Sequence, residues 1–147
     1  MLYSSISTFK TIIKKRYWAV TEQKPKQKSG TLIDFLRKTE KQNKSYAFDK
    51  EVNGSKRAEL DYAVKGSGDK YHFIEVSLKT GRHHQIRCQL SNIGCIIKGD
   101  LKYGAKRSNK DGSIHLHARL LEFIHPVKKE PISIIAPPPN DALWNAF

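Results

Sequence analysis

The run Leu78-Lys79-Thr80-Gly81-Arg82-His83-His84-Gln85-Ile86-Arg87 holds the densest set of side chains able to do chemistry. Alternating residues upstream predict a strand ending at Leu78. Ile86, Leu90 and Ile93, at four- and three-residue steps, predict a helix over Gly81 to Ile93. Thr80 is placed to cap that helix and Gly94 to end it. The unbonded N–H groups and positive dipole end of a helix N-terminus suit an anion, and Arg82 sits there. His83 and Arg87 lie four apart and share a helix face. Ile86 faces the core or lines a pocket, and an Arg beside such an apolar wall could hold a carboxylate or phosphate in a partly dry site. An ordinary amphipathic helix with solvated charges has the same spacing, and spacing alone does not separate the two.

Other candidates carry less. His115 and His117 share a strand face and could conceivably hold a metal. No Cys-x-x-Cys or His-Glu-x-x-His accompanies them, so a structural or ligand-facing role is the better reading and no metal is assigned. Cys88 and Cys95 read as core thiols whose separation matches no zinc pattern. Lys98, Lys102, Lys106, Arg107 and Lys110 flank a loop and could track the phosphates of a polyanion, or simply be solvated.

The elements that must position these groups fit one domain. The 147 residues hold 27 Lys+Arg against 14 Asp+Glu, a formal charge of +13. That length suits a single domain with a real core. A hydrophobic content of 38% argues against wholesale disorder. No stretch approaches the roughly 20 apolar residues of a membrane span, and two cysteines exclude a disulfide-built scaffold. The charge excess points to a polyanion, most economically nucleic acid. A membrane surface is disfavoured because no long basic amphipathic helix is evident.

Along the chain, Met1 to Arg16 lacks acidic residues, as some transit peptides do. Ile6, Phe9, Ile12 and Ile13 at helical spacing favour a short helix running into a strand Tyr17–Val20. Glu22–Gly30 is a Lys-rich loop, Thr31–Arg37 an apolar segment of open type, and Thr39–Ser45 a polar loop. Arg57–Lys65 and Tyr71–Leu78 alternate and form a hairpin about a turn at Gly66–Asp69. Lys98–Ser113 is a basic loop, and Ile114–Phe123 and Ile132–Ile135 are strands. The pattern predicts an α+β fold, a mainly antiparallel mixed sheet with flanking helices. With no export signal, the expected location is the cytoplasm.

The run TGRHHQIR resembles the TGR-x-HQIR motif of the RluA-type RNA pseudouridine synthases. Lys15-Arg16-Tyr17-Trp18-Ala19-Val20 resembles that family's K-x-Y strand. Ala58–Tyr62, Gly99-Asp100 with Tyr103-Gly104, Leu116-His117-Ala118, Phe123–Pro126 and Ala136–Pro139 match later family motifs in order. The resemblance implies cofactor-free isomerisation of uridine to pseudouridine in ribosomal or transfer RNA, on a base flipped out of its stack. By motif position, Tyr17 carries the base and Arg87 pairs with a nucleophilic Asp. Ile86, Arg82, His83 and Gln85 line the substrate pocket, and Lys15, Arg16, Lys98, Lys102, Lys106 and Arg107 meet the RNA.

The family's nucleophile lies in an H-R-L-D motif before the K-x-Y strand, and neither H-R-L-D nor R-L-D occurs in these 147 residues. Asp61 occupies a later strand and is rejected. The resemblance therefore implies an N-terminally truncated catalytic domain over residues 1–147, an incomplete pseudouridine synthase fold that is inactive alone. A second chain supplying the missing half is one route to activity, and a non-catalytic basic RNA-binding module is the alternative. An apolar sheet face or an unpaired strand edge should be left exposed.

Overall fold

The computed structural model describes residues 12–147. Seven strands form one sheet: β1 (Ile12–Thr21), β2 (Ser29–Thr39), β3 (Lys44–Phe48), β4 (Lys56–Ser67), β5 (His72–Leu78), β6 (Leu116–Ile124) and β7 (Pro131–Ile135). Their spatial order is β3-β2-β4-β5-β1-β6-β7. Every pairing between them is antiparallel, so the sheet is not mixed. One helix, α1 (Gln85–Asn92), lies on one face. A 3-10 turn (Leu101–Tyr103) and a four-residue helix α2 (Ala142–Asn145) complete the set among the described residues. The α+β class stands.

Period-two alternation splits the sheet into two environments. Ala19 of β1, Leu60 and Tyr62 of β4, and Ile74 and Val76 of β5 pack against Ile86 and Leu90 of α1 and against Cys95 and Ile97 beyond it. Leu60, Ile74 and Leu90 are fully buried, and each such side chain contributes about 1.5–3 kcal/mol relative to exposure. Trp18, next to Tyr17 and so on the other face, meets Phe73 edge-on at 5.1 Å. Trp144 of α2 and Phe147 close over Phe73. Arg119 stacks on Trp18 at 4.3 Å.

Several local expectations are revised. Residues 1–11 of the expected N-terminal helix lie outside the described residues, but Ile12 to Arg16 are strand. Ile12 registers with Phe123 and Lys15 with Leu121, and sheet pairing outweighs the apolar helical spacing. The open segment Thr31–Arg37 is strand throughout. The expected loop at Thr39–Ser45 is a hairpin turn. It closes through Asn43 at φ 48°, and β3 starts at Lys44. The turn expected at Gly66–Asp69 begins later, because β4 runs to Ser67.

Helix α1 starts at Gln85, not Gly81. Thr80 does not cap it: its hydroxyl accepts from Glu59 N at 3.0 Å and donates to the Gln85 amide at 2.9 Å, joining β4 to the helix. The C-terminal expectation holds. Gly94, at φ 82°, donates to Ser91 O while Cys95 N donates to Leu90 O, the paired bonds of a Schellman stop.

Candidate active site

Strand β1 aims Tyr17 to the face that carries α1. There Tyr17, Leu78, Ile86 and Leu116 form the apolar side of a cleft of about 350 Å³, with Gly81–His84 and Arg87 on its polar side. Ile86 is 4% exposed and belongs to the core while lining this cleft. The two groups singled out by the resemblance, Tyr17 and Arg87, therefore share one cavity.

Arg87 does not wait unpaired. Its Nε donates to Asp100 Oδ2 at 2.9 Å and its Nη2 to Asp100 Oδ1 at 2.8 Å. Asp100 is 1% exposed, so this is a side-on bidentate pair with a nearly buried carboxylate. Nη1 meets His84 Nε2 at 3.2 Å, and the guanidinium stacks on Tyr103 at 5.0 Å. Each Nη retains one N–H with no partner among the described residues. Asp100 is carried by a tight turn at Gly99. Gly99 has φ 87°, and a Cβ there would lie 2.8 Å from Asn109, so only glycine fits.

His84 occupies the position before α1 with φ 51°, the left-handed region. For a residue other than glycine this costs about 1–3 kcal/mol, and such strain clusters at functional sites. Its Nδ1 lies 2.9 Å from the Tyr103 hydroxyl, which also accepts from Ser45 N at 2.9 Å. Burial lowers the His84 pKa to about 4, helped by the cationic Arg87.

Gln85 and Gln89 carry the polar contacts inward. The Gln85 carbonyl accepts from Thr80 and from Arg82 N, and its amide donates to Glu59 O and to Gln89. Gln89, 0% exposed, donates to Asp34 at 2.9 Å. The helix is thereby bolted to β2 and β4 by satisfied buried polar groups.

Ile86, expected in the pocket, and Arg87, expected to be catalytic, both lie along the cleft. Arg82 also borders it, with Nε donating to Arg57 O at 2.8 Å. Gln85 borders it but is 3% exposed with its amide fully engaged, so it shapes the turn and does not offer a hydrogen bond to substrate. His83 precedes the helix and does not share a helical face with Arg87. Its ring contacts Ser45 and Asn43 and stacks on His84 at 3.7 Å. Burial, with Lys38 and Arg87, lowers its pKa.

Among the expected RNA contacts, Lys15 lines an apolar concavity of about 170 Å³ with Tyr17, Ala118, Leu121 and Ile134. Arg16 has a buried Nε with no hydrogen-bond partner among the described residues. Lys102 is tied to the Gln42 and Asn43 carbonyls and is not a loosely solvated loop charge. Lys98 contacts Asn109, and it shares a separate polar cleft with Lys106, Arg107 and Tyr71.

His115 and His117 do not converge on a metal position. His115 pairs with Asp141 at 3.0 Å and with Asn109, and His117 contacts Ala136 O. Asp100, His84 and Tyr103 were not singled out from the sequence, although Asp100 and Tyr103 lie inside the GD-x-x-YG motif.

Comparison with known proteins accords with this geometry. A family model described as RNA pseudouridylate synthase matches residues 4–92. The chain belongs to the RNA pseudouridylate synthase family, of the RluA type. An uncharacterized RNA pseudouridine synthase of Chlorobaculum parvum is 33% identical over 146 residues, covering 88% of this chain and 45% of its own. A tRNA pseudouridine synthase C of Haemophilus ducreyi is 35% identical over 88 residues, covering 54% of this chain and 36% of its own. The solved structure of human RNA pseudouridylate synthase domain containing 1 shares the fold. Its TM-score is 0.71 at 21% identity, over 97% of this chain and 61% of that one. The chain thus spans about half the length of such curated relatives.

Proposed function

We propose that this chain forms the Tyr17–Arg87 half of a uridine-isomerising site acting on ribosomal or transfer RNA. The observation that carries the proposal is the shared cleft. It holds a tyrosine ring, an aliphatic wall at Ile86, and a guanidinium fixed by Asp100 with two N–H groups to spare. A flipped base needs a flat partner and a partly dry pocket, and a carboxylate nucleophile needs a cation to keep it ionised. Tyr17 supplies the first and Arg87 the second.

In the reaction the N1–C1′ bond of uridine breaks, a C5–C1′ bond forms, the C5 hydrogen leaves as a proton to water, and N1 takes up a proton in its place. No residue of the described cleft contributes a free carboxylate, since Asp100 is consumed by Arg87. The nucleophile is therefore supplied by residues outside these 147, on a second chain in one arrangement. The +13 charge supports RNA as the partner.

Tritium release from RNA carrying [5-³H]uridine tests this. The chain should be silent alone and active when a segment bearing the carboxylate is added. Silence in both arms, with salt-sensitive RNA binding retained, would instead favour a non-catalytic binding module.

A further inference from the structure

The hydrogen-bond partners of His84 determine its protonation state. An arginine Nη carries only donors, so at 3.2 Å from Arg87 Nη1 the His84 Nε2 must be the acceptor. The proton then sits on Nδ1 and is donated to the Tyr103 hydroxyl at 2.9 Å. That hydroxyl is itself located by Ser45 N, and Tyr103 stacks edge-on against His84 and face-on beneath Arg87. Asp100 takes the opposite edge of the same guanidinium. Arg87 is thus gripped from two sides, by a carboxylate through Nε and Nη2 and by a neutral imidazole through Nη1.

We propose that His84 is a positioning residue, held as the neutral Nδ1–H tautomer so that its Nε2 fixes the rotation of Arg87 and aims the remaining Nη N–H groups into the cleft. The proposal rests on the reading of Arg87 as the group that faces the nucleophile. The backbone at His84 is left-handed, and its half-buried ring lies against Arg87. The groups around the ring favour the neutral form. Arg87 and His83 press from its own segment and Lys102 from the 3-10 turn, with Asp100 alone opposing. Lys44 lies over the far Tyr103 ring, and Lys38 acts on neighbouring His83. Burial adds to the same direction.

The tautomer is readable in the full chain labelled with ¹⁵N-histidine, by two-bond ¹H–¹⁵N correlation, with His84→Gln assigning the signal. At pH 7 the expected His84 pattern is a protonated Nδ1 and an unprotonated Nε2, with no imidazolium until well below pH 5. A protonated Nε2, or titration near pH 6.5, would overturn the proposal. In Arg87→Leu the titration should move up by at least one pH unit and the tautomer preference should weaken; an unchanged signal would show that the two groups are not coupled.

Positioning is then separated from packing by the Arg87 Nη1 hydrogens. Their exchange with water should quicken at least tenfold in His84→Phe, which keeps the ring stack, and be largely restored in His84→Gln, which keeps an acceptor. Equal protection in the Phe variant would leave His84 a packing residue only. If a variant fails to fold, the wild-type tautomer still decides. None of these readouts uses RNA or turnover, so failure of the His84 proposal and failure of the functional reading are told apart.

Discussion

One wall of the cleft is made by the Gly81–Arg87 turn, and the other by Tyr17 of β1 with Leu78 of β5 and Leu116 of β6. On the first, almost every polar atom has a partner inside the protein: Arg87 on Asp100 and His84, Gln85 on Thr80 and Gln89, Gln89 on Asp34. On the second, Tyr17 also lines an adjoining apolar concavity with Ala118, Leu121 and Ile134. The polar wall arrives preorganised, which is what electrostatic work in a pocket requires. The apolar wall has the surface expected of one that another segment covers.

The comparison breaks most severely at Asp100. Asp100→Ala leaves the Arg87 guanidinium, largely shielded from water, without its carboxylate, and should cost about 3–5 kcal/mol in urea unfolding. A loss below 1 kcal/mol would mean that the pair is not what holds the wall. Gln89→Leu comes next. It strips Asp34 of a donor and Gln85 of an acceptor, and should cost about 1–3 kcal/mol, read by the same titration. Beside the other wall, Ile134→Ser should cost under about 1 kcal/mol of chain stability, yet lower turnover of the completed site. Equal stability losses on both walls would erase the distinction.

The remaining effect is with pH. His84, His83, His72 and His115 all have lowered pKa values in the folded chain, His84 to about 4 against an ordinary 6.5. Between those values the unfolded chain binds more protons, so stability is intact above pH 6.5 and declines toward pH 4. The urea midpoint should fall over that interval, and fall less in His84→Gln.

How much of this was legible in the sequence differs by element. The β4–β5 hairpin and the Gly94 stop were, because alternation and a left-handed glycine are local signals. Ile12–Arg16 misread as helix because what makes it a strand is pairing with residues more than 100 positions away. Strand β3 was hidden in five short residues whose partner is β2. In the cleft, Tyr17, Ile86 and Arg87 come together, three positions that motif order had singled out. His84 was missed because the helix starts four residues later than its apolar spacing suggests. Both histidines therefore precede the helix, and the left-handed turn at His84, not helical spacing, sets its ring against Arg87. The Arg87–Asp100 pair crosses from a helix to a turn, and no periodicity links such positions.

The central claim is that Tyr17 and Arg87 form half of a uridine-isomerising site whose carboxylate comes from outside these residues. Tritium release from [5-³H]uridine RNA tests it most directly, comparing the chain alone, the chain with a carboxylate-bearing segment, and that mixture carrying Arg87→Leu. The account predicts release only in the second. Release by the chain alone, or release undiminished by Arg87→Leu, would contradict it.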